Sequence, residues 1–481
     1  MRAGAAQVDI SPPLPVDVLG YVRRAVAPRR FAAPLLVTAL VVIDGPTTVA
    51  ILAADLVGMT TPFADRVRGT VATALGCEPG DVLINSSHSH AAPWPGAIIK
   101  LGGESDGWTD RERGYWDTLP NAFASAAVQA VATAREARIS GGVGHAPGLA
   151  VNRRERTSDG RTILGWNRDG FLDDSVPTLR IDDLDGRPIA TVVGFGCHPV
   201  VVGPEVDAAG PDFVGPLRER TNELRGGGVT VFLQGAAGNV LPLEAFIDRT
   251  GPEVTFGERL ALEAAHAVAD AEPRAMTIEH IAYGSVTPIS LYRRHVANEQ
   301  PAQSVTSVRR IVDLPLLDAP DRTALETELA ERRADLAGRA AAGETRATMN
   351  PVRYHISWIE HVLSLAAEGP LPTSVPGEVW AARIGDCAVV GTPGEIFGEI
   401  GAAVRDASPA GTTIFAGYCN GVLGYVATPE EHPYGGYEPA VSHRGYGQPA
   451  PFAPAAADLL RATSLELLAE LFPTPLPRRD A

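Results

Sequence analysis

The chain has little that would tie it to an oxidising compartment, a membrane or a polyanion. Its four cysteines, Cys77, Cys197, Cys387 and Cys419, are widely spaced with no CxxC pair. That spacing argues against a disulfide scaffold or a thiolate zinc knuckle. No uncharged apolar stretch reaches membrane-spanning length. The start, MRAGAAQVDISPP, lacks a basic segment followed by a long apolar one, so no secretory signal is expected. Basic residues are in deficit: 41 Lys and Arg stand against 57 Asp and Glu, a formal charge of −16. An acidic surface repels phosphate, which speaks against nucleic acid or anionic membrane as the main partner. Nucleotide signatures are missing too. GGVGHAPG (141–148) has the wrong glycine spacing for GxGxxG, and GAAGNVLP lacks the GK[ST] of a phosphate loop. A soluble, reduced, cytoplasmic protein without a membrane span is the expectation.

What is present is an ordinary globular composition, 45% hydrophobic and 20% charged over 481 residues. Short β-branched runs read as buried strands at 35–44, 47–56, 82–84, 191–196, 229–234, 387–391 and 412–417. Between them, 62–76, 116–137 and 256–272 repeat apolar residues at helical spacing. Alternation of this kind predicts an α/β fold, a mixed β-sheet body with surrounding helices. Residues 318–368 differ: a charged helical run followed by a more apolar one predicts an inserted helical hairpin, best read as plain packing. With no internal repeat and no clear linker, residues 1–481 read as a single domain.

The apolar runs share a feature at their ends. VLI leads into NSSHSH, TVVGFG into CHP, VTVFLQ into GAAGN, CAVVG into TPGE, and TTIFAG into a loop carrying Tyr425. In open α/β sheets, ligands bind outside the carboxyl ends of the strands. The five loops would then share one rim, bringing His88, His90, His198 and Glu395 together. Two imidazoles and a carboxylate match one common zinc set that leaves a position open. His88 and His90 alternate, so in extended backbone both project to one side. Each alone has a bland reading. An HxH pair is a weak signal, His198 fits a structural histidine, Glu395 suits a helix N-terminus, and Tyr425 suits packing.

These motifs in this order resemble the catalytic domain of the neutral/alkaline non-lysosomal ceramidases, zinc-dependent amidases that cleave the N-acyl bond of ceramide. The likeness runs through AGAAQVDISPP…LGYV (3–22), INSSHSHAAPWPG (84–96), VNRRE (151–155) and GFGCHP (194–199). It continues through FLQGAAGNVLP (232–242), TPGEIF (392–397) and GYVATPEEH…GYEPA (424–440). The resemblance implies Zn²⁺ held by His88, His198, Glu395 and Tyr425. It implies catalytic roles for His90, which would face the substrate, and for Arg153 and Tyr437. His90 and Tyr437 would serve the oxyanion or the leaving group, and Arg153 would orient a carbonyl or carboxylate.

The departures shape the chemistry. Where the family carries a serine in its FxQS-type segment, this chain reads Gly235, and the following glycine–aspartate becomes Gly238–Asn239. The β-sandwich module that follows in ceramidases is expected to be missing. Without a serine, metal-activated water is the remaining nucleophile. The expected function is a zinc-dependent amidohydrolase acting on the amide or ester of a small acylated metabolite. A zinc Lewis-acid acyl transferase or cyclase is one alternative, and a catalytically silent metal-binding protein the other. The remaining histidines of the GYVAT–GYEPA region, His432 and His443, carry no readable role.

Overall fold

A computed structural model describes residues 1–103, 107–271, 276–282, 289–297 and 303–476. The first part of the chain forms strands Arg2–Asp9 (β1), Leu36–Asp44 (β2), Thr47–Ala54 (β3) and Val82–Ser86 (β4). Helices Thr61–Leu75 (α1) and Asp110–Ala132 (α2) belong to the same part. Strands Arg135–His145 (β5), Ala150–Arg156 (β6), Thr162–Asn167 (β7), Ser175–Asp183 (β8) and Pro188–Phe195 (β9) follow. After them come Val214–Arg225 (α3), Val229–Gln234 (β10), Val240–Pro242 (β11) and Pro252–Asp270 (α4). Strands Met276–Ala282 (β12), Ser290–Val296 (β13) and Val305–Pro315 (β14) lead into helices Arg322–Ala341 (α5) and Arg346–Glu368 (α6). The chain then runs through Ser374–Ile384 (β15), Cys387–Gly391 (β16), Glu395–Ile396 (β17) and Gly398–Ala407 (α7). Last are Thr412–Ala416 (β18), Tyr425–Val426 (β19), Tyr437–Ala440 (α8) and Ala455–Leu471 (α9).

Eight strands form one sheet in the order β10-β9-β8-β5-β1-β2-β3-β4, parallel only at its two edges, β10–β9 and β3–β4. A second sheet, β14-β15-β16-β18, stacks on it. Between the sheets lies a dry layer that includes Ile51, Leu83, Ile181, Val231, Trp380 and Val389. Helices α1 to α4 cover the outer face of the large sheet, and α7 and α9 cover the small one. Burial on both faces explains why β2, β4, β16 and β18 read as unbroken apolar runs instead of alternating. The mixed α/β expectation therefore holds.

Local chemistry sets the helix limits. Pro62 opens α1 and Gly76 closes it in the left-handed region. A reciprocal Thr109–Glu112 capping box starts α2 six residues before the periodicity does. The last residue of the 256–272 helical run lies outside the described residues. Several strands had no sequence signal. The β5 strand mixes glycines with charges, and β8 a proline with charges, which weakens the alternation, although the sheet buries most of their central residues.

The helical hairpin is α5 and α6, and it packs against the segment that follows α8. Arg444 holds Glu328 at 2.7 Å and lies 4.1 Å over the Trp358 ring. His443 meets Trp358 edge-on at 5.4 Å. The hairpin thus braces the segment that carries Tyr446.

Candidate metal centre

The carboxyl ends of β4 and β9 are tied together by two buried amides that carry no motif of their own. Gln234, the last residue of β10, donates through Nε2 to Ser87 O (3.2 Å) and Cys197 O (2.8 Å). Asn85 donates to Gly417 O at 2.7 Å and accepts from Gln234 N at 2.9 Å. Each amide satisfies loop groups that β-ladders cannot reach, so it fixes the residues just before His88 and His198. The available signal was a polar residue closing an apolar run, VTVFLQ and VLIN.

His88 does not sit in extended backbone. Its φ is +65°, in the left-handed region where histidine is one of the better tolerated side chains. His90 nonetheless returns to the same place, its Nε2 3.1 Å from His88 Nε2. The shared side comes from the loop turning at His88, not from strand alternation. Gly20 makes room for it: a Cβ there would lie 2.6 Å from His90 Cγ.

His88 and His198 are both fully buried and anchored through Nδ1. His88 Nδ1 is 2.6 Å from Val57 O, and His198 Nδ1 is 2.8 Å from Ala237 O. With those nitrogens engaged as donors, each Nε2 presents a lone pair. Both lone pairs face one oxygen: Glu395 Oε2 lies 3.3 Å from His88 Nε2 and 3.0 Å from His198 Nε2. Glu395 does not cap a helix; it lies in β17, which pairs in parallel with β19 so that Glu395 stands beside Tyr425. The Tyr425 hydroxyl is 3.3 Å from His198 Nε2. Gly238 permits this approach, since a Cβ there would meet Glu395 O at 2.5 Å.

The protonation states follow from burial and neighbours. Burial pushes His198 down to about 4, with the Arg153 cation adding to the effect. Burial and then the other two histidines hold His90 well below its ordinary value. For Glu395, burial raises the carboxyl, but attraction and hydrogen bonding from His88 and His198 outweigh it and keep it well below the usual range. An unprotonated His198 and an ionised Glu395 are forms that bind a cation. The ring nitrogens of His88, His90 and His198 all lie within 4.8 Å of one another, a group that could hold a metal ion. His90 differs from the other two. It is only half-buried, and its Nδ1 has no partner. Metal-ligating histidines usually anchor their second nitrogen.

Two tyrosines not singled out in the sequence complete the floor. Tyr418 donates to Glu395 Oε2 at 3.1 Å, and Tyr446 donates to Oε1. Of the other expected residues, Arg153 on β6 is buried, with Nη1 3.1 Å from His198 Nε2 and its guanidinium 5.2 Å from the Tyr425 ring centre. Tyr437, half-buried on α8, meets Tyr425 edge-on at 5.6 Å. All seven expected site residues therefore converge. Gly235 does not join them. A Cβ there would press on Gly196 N at 3.0 Å, and the cavity it lines holds none of the three histidines. A larger cavity of about 480 Å³, lined by Leu149, Val201, Leu243 and Phe256 among others, also excludes the histidines. Chemistry, not concavity, locates this site.

No protein-family model and no curated protein sequence matches the chain. Several chains of solved structures do, among them the following two. The neutral ceramidase from Pseudomonas aeruginosa superposes with a TM-score of 0.67 at 15% identity, over 100% of this chain and 76% of that one. A ceramidase complexed with C2 gives 0.69 at 15% identity with the same coverage. The chain has a ceramidase-like fold.

Proposed function

We propose that this chain, which carries the ceramidase-like fold, is a zinc-dependent hydrolase cleaving an amide or ester bond of a small acylated molecule. One observation carries the reading: the Nε2 atoms of His88 and His198 converge on one Glu395 oxygen while both Nδ1 atoms are engaged by main-chain carbonyls. His88, His198, Glu395 and Tyr425 offer the nitrogen and oxygen donors that zinc takes, and leave room for a further ligand. When bound, zinc would acidify a water and polarise the acyl carbonyl. His90, beside the ligands and half-exposed, takes the proton of the attacking water and passes it to the leaving nitrogen or oxygen. The acyl bond to the leaving group breaks as the carbon–oxygen bond to water forms. Tyr437 donates to the acyl oxygen as it gains charge, and Arg153 orients a carbonyl or carboxylate of the substrate. Burial keeps the Tyr437 hydroxyl protonated, which suits a donor.

The fact that His90 shares the histidine group supports a second reading, in which the three histidines hold the metal themselves. Elemental analysis separates the two. Wild type should hold about one zinc per chain, His198→Ala almost none, and His90→Ala the wild-type amount with turnover reduced by about 10²–10⁴. Zinc lost from His90→Ala would make His90 a ligand, and a well-folded wild type that zinc cannot load would end the metal reading. Turnover in labelled water then distinguishes hydrolysis, which incorporates its oxygen, from acyl transfer or cyclisation.

A further inference from the structure

Behind His198 lies a network of buried charges. Glu438, 2% exposed, spends its two oxygens on two arginines: Oε1 accepts from Arg153 Nε at 2.7 Å and Oε2 from Arg154 Nη1 at 2.6 Å. Arg154 also meets Glu431 at 2.5 Å, and Arg156 meets the same Glu431 at 2.6 Å. Arg153 is 3% exposed, attracted by Glu395 and in contact with the Tyr425 hydroxyl, yet its Nη2 is buried with no hydrogen bond to satisfy it. Its Nη1 meets the Nε2 of His198 at 3.1 Å, an acceptor that a metal bound there would take. With Nε held by Glu438, the Nη1–Nη2 edge is the one left for a further acceptor. A paired edge of this kind matches a carboxylate through two parallel hydrogen bonds.

Beyond His90 the surface is aromatic and aliphatic, with Arg24 and Asp212 set behind Tyr21. His90 meets Tyr21 at 4.9 Å, and Tyr21 packs with Val200 and Leu241 and lies 6.1 Å from Phe246.

We propose that the substrate is an N-acylated amino acid, whose carboxylate pairs with Arg153 and whose acyl chain lies along Tyr21 and Phe246. This inference rests on the hydrolase reading and narrows its substrate. In such a molecule the carboxylate stands one nitrogen and one carbon from the acyl carbon, so one compound spans both flanks of the histidines. Glu438 is a positioning residue: it orients Arg153 without touching the substrate.

The test uses a binding readout, so it does not depend on turnover. The probe is 4-oxodecanoic acid, the hydrolysis-proof isostere of N-heptanoylglycine, against 4-oxodecanamide, its uncharged counterpart. Isothermal titration of zinc-loaded wild type should show the acid binding about tenfold or more tightly, the gain of a charge-assisted pair. That preference should vanish in Arg153→Gln and shrink in Arg153→Lys, which keeps the charge but loses the fork. Equal or weaker binding of the acid by wild type overturns the proposal and leaves Arg153 serving the acyl carbonyl alone. Because that ratio is read on wild type, a variant that fails to fold does not spoil the test. Acid preference without cleavage of N-heptanoylglycine or any other acylated compound would instead defeat the hydrolase reading. Cleavage of neutral amides without acid preference would defeat only the carboxylate.

Discussion

On one flank of the His88–His198 pair, His90 packs edge-on against Tyr21, and Leu241 and Val200 close the contact. On the other, Arg153 reaches His198 from a network of arginines and glutamates whose inner members are almost wholly buried. The two flanks handle their acids in opposite ways. Asp212, behind Tyr21, accepts from Val202 N and Phe213 N, yet burial pushes it up to about 7. For Glu431, beside Arg154 and Arg156, burial also raises the carboxyl, but the two arginines prevail and hold it below its ordinary value. Asp212, fully buried, has only hydrogen bonds to offset that burial, whereas the half-buried Glu431 also has opposite charge beside it, and only the second acid is kept ionised at little penalty. A site so divided presents apolar surface and positive charge within one substrate's reach.

The largest expected effect breaks the charged flank. Glu438→Ala leaves Arg153 and Arg154 buried with too few partners and should cost about 3–5 kcal/mol of stability, read by denaturant unfolding. A loss below about 1 kcal/mol would show that the network is already screened by water. Next, pH sharpens the contrast. Asp212 has a folded pKa raised from about 3.9 in the unfolded chain to about 7. The folded state therefore holds the extra proton between those values. Its contribution to stability is complete below about pH 4 and is lost as pH rises through about 7, by roughly a few kcal/mol. Asp212→Asn should flatten that slope, whatever it costs in hydrogen bonding, and an unchanged slope would place the titration elsewhere. The smallest effect concerns Phe246, 45% exposed and held at a φ of +59°, where a bulky side chain is strained. Phe246→Gly should leave stability within about 1 kcal/mol, because relief of that strain offsets the weaker packing against Tyr21. It should weaken binding of 4-oxodecanoic acid roughly three- to tenfold, as expected for one aromatic side chain worth about 0.5–1.5 kcal/mol. A short-chain 4-oxo acid should be unaffected. Equal weakening of long and short acids would detach Phe246 from the acyl chain.

The candidate site was legible to an unusual depth for one reason. Its candidate donors each stand a few residues beyond an apolar strand run, so His88, His198 and Glu395 are marked by local sequence. Arg153 and Tyr437 lie in motifs of the same ordered series. Glu438 adjoins Tyr437 in the GYEPA motif yet carries no local signal, because its importance lies in two arginines far away in the chain. Tyr418 and Tyr446 escape a sequence reading for the same reason: nothing local distinguishes a buried hydroxyl with a distant partner from one that merely packs. Gly235 shows the reverse error. A position that stands out by motif likeness turns out to face the Gly196 backbone and not the histidines.

The sequence by itself marked many of the secondary elements and the residue types at their ends, because periodicity, caps and strand runs are short-range matters of backbone and hydration. It also marked the candidate donors: two histidines, a carboxylate and a tyrosine just beyond apolar runs. Only the tertiary structure decided that the loops after β4, β9 and β16 meet. That meeting depends on the large sheet bringing its opposite edges together and on the small sheet stacking against it. Only the tertiary structure, too, left Arg153 Nη2 without a hydrogen bond, since that depends on a set of neighbours that no stretch of chain contains.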